Sequence, residues 1–123
     1  MRRNRVLIIL ASLLATNIFI FWLGNVLAAA TLNLNEGITV AEAGSGTIDN
    51  TLLHADDPDS PGAVMTYTLV TTPANGDLTL SSAPLAPNDQ FTQTDIDNNL
   101  LAYTHDDSET LADSFDFTVA TSA

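Results

Sequence analysis

Apolar and polar residues alternate with a period of two over most of the chain after residue 30. Such a run is typical of a half-buried β-strand, whose successive side chains point to opposite faces of a sheet. Turn-forming residues separate the runs, and Thr94–Asn99 has room for one helical turn. The clearest runs are Met65–Leu69, Leu78–Leu80, Leu101–His105 and Phe115–Val119. The pattern predicts an all-β fold, an antiparallel β-sandwich.

The alternation also predicts which side chains form the core of this sandwich. Asn75-Gly76 is the best turn signal between the runs, because both residues tolerate positive φ. It predicts a hairpin that joins the strand of Leu69 to the strand of Leu78. The positions expected to face inward are Tyr67, Leu69, Leu78, Leu80, Leu101, Tyr103, Phe115, Phe117 and Val119.

Residues 1–30 have a different pattern, with arginines first and then an almost unbroken apolar run. Arg2, Arg3 and Arg5 precede Val6–Leu27, which is close to the ~20 residues that span a bilayer as a helix. Small residues, Ala28–Ala30, follow as a signal peptidase requires. We expect an N-terminal hydrophobic helix that acts as a signal peptide, with retention as a signal-anchor as the alternative. In either case the arginines stay in the cytoplasm and the rest is exported to the cell surface or the medium.

The charge of the chain limits what the exported part can bind. The net charge is −12, and all fifteen carboxylates lie at or after Glu36, where no Lys or Arg occurs. Without basic side chains this part cannot neutralise phosphates, which excludes nucleic-acid binding. It also has no Cys, so something other than disulfides must stiffen it. Asp57 and Asp59, two residues apart, can point to one side of an extended loop and predict a Ca²⁺ site.

Seven segments of the chain form an ordered set. They are Asn35–Gly37, Leu53–Asp59, Met65–Leu69, Pro73–Leu78, Phe91–Asp95, Leu101–Asp106 and Asp113–Phe117. In this order and spacing they resemble the chondroitin-sulfate-proteoglycan (CSPG) type repeat, a relative of the cadherin domain. The resemblance covers about residues 33–120. It implies a Greek-key β-sandwich that serves as a spacer or adhesion module, whose partners are neighbouring repeats or other surface proteins.

The resemblance also implies a set of calcium ligands. Asp57 and Asp59 stand at the place of the Asp-x-Asp motif of cadherin-like domains, and Glu36 at the place of an early ligand Glu. Asp107 and Glu109 fall near the place of the Asp-Arg-Glu motif, which this sequence does not reproduce. The Asp/Asn-rich linker that completes a cadherin site is also missing.

The resemblance further predicts that residues 31–123 are one repeat without its final strand, which would leave one edge of the Phe115 strand unpaired. The alternative is that an early strand, Leu32–Ile38, covers that edge. His54 and His105 lack the spacing of a zinc site, and no motif indicates a catalytic nucleophile, so we expect no enzyme. Besides a structural or adhesive module, the sandwich leaves open a carbohydrate-binding module.

Overall fold

A computed structural model of the chain describes residues 5–13 and 30–122, whose regular secondary structure is almost entirely β-strand. The described elements in chain order are β1 (Arg5–Leu13), β2 (Thr31–Asn35), β3 (Ile38–Ala41), β4 (Ser45–Thr47), β5 (Leu53–Asp56), β6 (Met65–Thr71), β7 (Gly76–Leu80), β8 (Ala83–Pro84), β9 (Gln90–Thr92), α1 (Gln93–Asp97), β10 (Leu101–His105) and β11 (Ala112–Thr121). The predicted all-β class is confirmed.

The strands form two larger sheets and one pair. The first sheet has the order β3-β1-β11-β6-β9, the second has the order β4-β10-β7-β8, and β2 pairs with β5. All pairings among them are antiparallel except that of β1 with β11. Strands next to each other in a sheet are mostly distant in sequence, so the chain crosses repeatedly between the sheets.

One hydrophobic core contains buried side chains from both larger sheets. Tyr67 on β6 stacks on Phe91 of β9, with ring centroids 5.0 Å apart, and is tilted against Phe117 at 5.6 Å. Seven of the nine predicted inward positions are fully buried, and the other two, Leu80 and Val119, pack against the same core while partly exposed. The period-two pattern therefore identified the inner faces of both sheets correctly.

The predicted Asn75-Gly76 hairpin is wrong. β6 pairs with β11 and β9, whereas β7 pairs with β10 and β8, so the chain leaves one sheet and enters the other between them. A two-residue hairpin of the expected type needs positive φ at Asn75, but Asn75 is not among the described residues with positive φ. Pro73 is buried in this connection, and Ala74 and Asn75 donate their N–H groups to a side chain from β11.

The single predicted helical turn is present as α1. Thr92 caps it, because its hydroxyl accepts the N–H of Asp95 at 3.1 Å while the Asp95 carboxylate accepts the N–H of Thr92 at 2.9 Å. Ile96 on this helix is buried in the core. Among the described residues, no helix has the length and apolar character needed to cross a membrane.

The N-terminal apolar segment is only partly described. Arg5–Leu13 is the extended strand β1, which lies between β3 and β11. A short apolar run suits a buried strand as well as a helix, because periodicity alone does not separate the two. Residues 14–29, on which most of the expected helix falls, lie outside the described residues, so a helix there stays a prediction. The edge of β11 that we expected to be unpaired is occupied by β1, and β2 pairs elsewhere, with β5.

Candidate functional site

The predicted calcium ligands Asp57 and Asp59 lie together in the turn after β5. Asp57 is only 3% exposed, and its Oδ1 accepts the N–H of Asp59 at 3.0 Å. Its Oδ2 accepts the hydroxyl of Thr121 at 2.6 Å, which ties this turn to the end of β11. Asp59 is exposed. Asp57 therefore uses both oxygens to hold the turn against the sandwich, and Asp59 offers the accessible carboxylate of the pair.

The other three predicted ligands, Glu36, Asp107 and Glu109, are exposed and lie away from Asp57. Glu36 follows β2 and Asp57 follows β5, and these antiparallel strands end at opposite sides. Asp107 and Glu109 precede β11, whereas Asp57 contacts Thr121, the last residue of that strand. In the described part of the chain, no three acidic, His or Cys side chains are grouped to hold a metal ion. Calcium binding stays a prediction.

Asp113, which is not among the predicted site residues, is a buried carboxylate that accepts several hydrogen bonds. It lies on β11 and is 8% exposed. Its Oδ1 accepts the N–H groups of Ala74 and Ser114, both at 2.9 Å. Its Oδ2 accepts the N–H of Asn75 at 2.9 Å and the hydroxyl of Tyr103 at 2.7 Å. One side chain thus fastens the β6–β7 connection to β10 and β11.

Gly76 completes this arrangement by leaving room for the tyrosine. A Cβ on Gly76 would lie 2.5 Å from Tyr103 Oη and would overlap the carbonyl oxygen of Thr104. The Tyr103 hydroxyl also approaches the carbonyl oxygen of Asn75 at 3.1 Å. Burial raises the pKa of Tyr103, and the hydrogen bond to Asp113 raises it further. Gly76 is therefore needed for close packing against β10, and not for a hairpin.

A second buried polar side chain, Gln93, joins α1 to β5 and β6. It is 7% exposed, and its Oε1 accepts the N–H of Ala55 at 2.9 Å and the hydroxyl of Tyr67 at 2.6 Å. Its Nε2 donates to Asp97 Oδ1 at 3.0 Å and approaches the carbonyl oxygen of Leu53 at 3.4 Å. Burial raises the pKa of Tyr67, with a smaller contribution from the negative charge of Asp97. The amide satisfies groups that the sandwich would otherwise bury without partners.

His105 also makes structural contacts. It is 3% exposed, and its Nδ1 accepts the N–H of Ala43 at 3.3 Å. A backbone N–H only donates, so Nδ1 carries no proton here and Nε2–H donates to the hydroxyl of Thr110 at 3.0 Å. The two ring nitrogens thereby bind one residue of the β3–β4 turn and one residue of the β10–β11 connection.

These contacts share one physical role, which is to fix connections between strands. Asp57, Gln93, His105 and Asp113 are the buried polar side chains of the described residues, and each accepts a hydrogen bond from a backbone N–H. Such bonds compensate for the cost of burying a polar group, and a charged acceptor makes them stronger. Together they can stiffen a small domain that has no cysteine.

The whole β-structure after residue 30 matches a known family. The family model described as Cadherin-like covers residues 31–122. No solved structure matches this chain at a significant level.

Several long extracellular proteins contain similar sequences. FRAS1-related extracellular matrix protein 1 of Homo sapiens is 33% identical over 73% of this chain and 4% of its own length. Extracellular matrix protein 3 of Lytechinus variegatus is 37% identical over 64% of this chain and 2% of its own length. Extracellular matrix organizing protein FRAS1 of Mus musculus is 35% identical over 75% of this chain and 2% of its own length. This chain therefore spans only a few per cent of the relatives that it matches, and by the match over residues 31–122 it belongs to the cadherin-like family.

Proposed function

We propose that this chain is an extracellular structural module, exported by its N-terminal segment. The observation that carries the proposal is the cadherin-like match over residues 31–122, with relatives whose names place them in the extracellular matrix. The fold supports it, because the buried polar side chains fix loops and strand connections. As the resemblance to the CSPG-type repeat implies, we expect its partners to be neighbouring repeats or other surface proteins.

The segment before Thr31 supports export. Its arginines, apolar run and small-residue end are the three parts of a secretory signal. Charge placement agrees, because every carboxylate follows the segment and every arginine precedes its apolar run.

The proposal is tested by following the full-length chain, with a C-terminal epitope, in a host that secretes proteins. We expect the epitope outside the cell or on its surface. Ile18→Asp, which puts a charge into the apolar run, should keep the chain in the cytoplasm, while Ile18→Val should be exported normally. Retention of the unchanged chain inside the cell would refute the export half of the proposal. The mass of the exported product distinguishes cleavage from anchoring.

Calcium stiffening at Asp57 and Asp59 is a finer part of the proposal. It is supported by the closeness of the two residues in one turn and by the exposed carboxylate of Asp59. Hard oxygen ligands in an acidic, exported domain suit Ca²⁺. Because Asp57 already accepts two hydrogen bonds, we expect any such site to be weak.

A carbohydrate-binding role is not favoured by the packing of the aromatic residues. Within residues 30–122, each aromatic side chain is at most 1% exposed, so none offers a face on which a sugar ring could stack. These residues are Tyr67, Phe91, Tyr103, Phe115 and Phe117.

A further inference from the structure

The slot between β3 and β11 holds a strand from the N-terminal segment. β1 runs antiparallel to β3, with Arg5 opposite Ala41. It runs parallel to β11, with Leu7 opposite Ala112 and Leu13 opposite Phe117. β11 uses its other edge for β6, and among the described strands β3 pairs only with β1.

Without β1, the slot would carry two rows of unpaired backbone groups. An open strand edge presents N–H and C=O groups that pair with any suitable strand. The walls of the slot also belong to the core, because Val40 of β3 and Phe115 and Phe117 of β11 are buried. A strand in the slot therefore joins β3 to the rest of the first sheet.

The composition of Arg5–Leu13 suits the slot. Arg5–Leu13 reads RVLIILASL, with aliphatic residues that suit a pleated strand and no Pro or Gly. It also has no carboxylate, whereas the chain from Glu36 onward carries all fifteen. An acidic strand would add to the repulsion among those charges, whereas the sequence of Arg5–Leu13 has a net positive charge.

We propose that the slot between β3 and β11 is a strand-acceptor site for an extended, carboxylate-free apolar strand, and that its occupant in the full-length chain is Arg5–Leu13. The same residues lie in the segment to which the proposed function assigns export, and in that one respect the inference rests on it. Arg5–Leu13 cannot lie in the slot and inside a membrane at the same time. Export therefore opens the acceptor site.

Disulfide trapping in the purified full-length chain tests the occupancy, and the chain has no cysteine that could interfere. Leu7→Cys with Thr39→Cys places thiols on directly opposed residues, within the separation that a disulfide bridges. Leu7→Cys with Ala41→Cys is the matched control, because Ala41 is as exposed as Thr39. Ala41 is a diagonal neighbour of Leu7 and not its direct partner, so the two thiols would lie near the limit of the distance that a disulfide bridges. We expect the first pair to oxidise within a single chain and the second to stay reduced.

Two proline variants, each added to the chain with Leu7→Cys and Thr39→Cys, test whether strand pairing holds the segment. Ile9→Pro removes an N–H in the paired stretch opposite Ser114, whereas Ser12→Pro falls in the register shift between Leu10 and Leu13. Ile9→Pro should suppress the disulfide and Ser12→Pro should not.

Several results would overturn the proposal. These are equal oxidation of the two cysteine pairs, no oxidation of the first pair, indifference to Ile9→Pro, or a disulfide between two chains. Because the trapping is done on purified protein, its failure would leave the export test untouched, and a failed export test would not alter the trapping result.

Discussion

At the scale of single residues, the buried carboxylate of Asp113 explains more of the structure than the exposed acidic residues do. The sequence contained a signal for it, because Asp113 falls in the same alternation as Phe115 and Phe117 and so lies on the inner face of β11. A carboxylate at a core position needs several donors. Those donors come from the β6–β7 connection and β10. Sequence spacing alone could not show that these two parts of the chain lie next to Asp113.

Replacing Asp113 tests this role. Asp113→Asn keeps the size of the side chain but turns an NH₂ group toward backbone N–H groups that need an acceptor. We expect the free energy of unfolding to fall by about 2–3 kcal/mol. Asp116→Asn is the matched control, since Asp116 is on the same strand and only half-buried, and it should change stability by no more than about 0.5 kcal/mol. Urea unfolding of the two variants measures both, and equal losses would contradict the assignment.

The two tyrosines give a second test at this scale. Burial raises the pKa of both Tyr67 and Tyr103, so the native state favours the neutral phenol more than the unfolded state does. Their contribution to stability is complete below about pH 10, the ordinary pKa, and is lost as the pH rises above it. We expect phenolate absorbance to appear only together with loss of the native circular dichroism. A tyrosine that ionises near its ordinary pKa in the folded protein would contradict this.

At the scale of elements, the sequence predicted strands well and their connections poorly. Alternation identified β6, β7, β10 and β11 because each buries one face in a common core. Neither the alternation nor the Asn75-Gly76 dipeptide could show that β6 and β7 belong to different sheets. A turn dipeptide indicates local conformational freedom and does not indicate which strands pair. The short β4, β8 and β9 have too few residues to show a period.

The close packing of the β6–β7 connection predicts the effect of replacing Gly76. Gly76→Ala would force its methyl group against Tyr103 and the backbone of Thr104, so we expect a loss of about 1–3 kcal/mol. Gly46→Ala is the control, because its Cβ would meet only the ends of the Ile38 and Val40 side chains, at 3.0 Å, and these can move. Thermal unfolding compares the two. If Gly46→Ala were the more damaging change, the close packing at Gly76 would not be the reason for this glycine.

At the scale of the whole molecule, two features of the acidic part after residue 30 could stiffen it. One is a cation that bridges carboxylates, which composition suggested. The other is the set of buried polar side chains, which only the structure could show, because their partners lie up to 64 residues away in sequence. The candidate calcium ligands could be named from the sequence, but the sequence could not show that they lie at different ends of the strands.

Calcium addition separates the two explanations. If Asp57 and Asp59 bind Ca²⁺, millimolar CaCl₂ should raise the melting temperature beyond NaCl of the same ionic strength, because binding favours the folded state by mass action. Asp59→Asn should abolish most of that difference, while Asp77→Asn, an exposed carboxylate on β7, should leave it unchanged. Equal effects of the two salts would mean that the salt only screens charge repulsion.

Native-state hydrogen exchange of the full-length chain, in buffer with a calcium chelator, tests most directly the central claim that buried side chains stiffen this module. The N–H groups of Ala74 and Asn75, bonded to Asp113, and of Ala55, bonded to Gln93, should exchange as slowly as those of β10. In Asp113→Asn the first two should exchange faster and Ala55 should not. Fast exchange of Ala74 and Asn75 that slows only when Ca²⁺ is added would contradict the account.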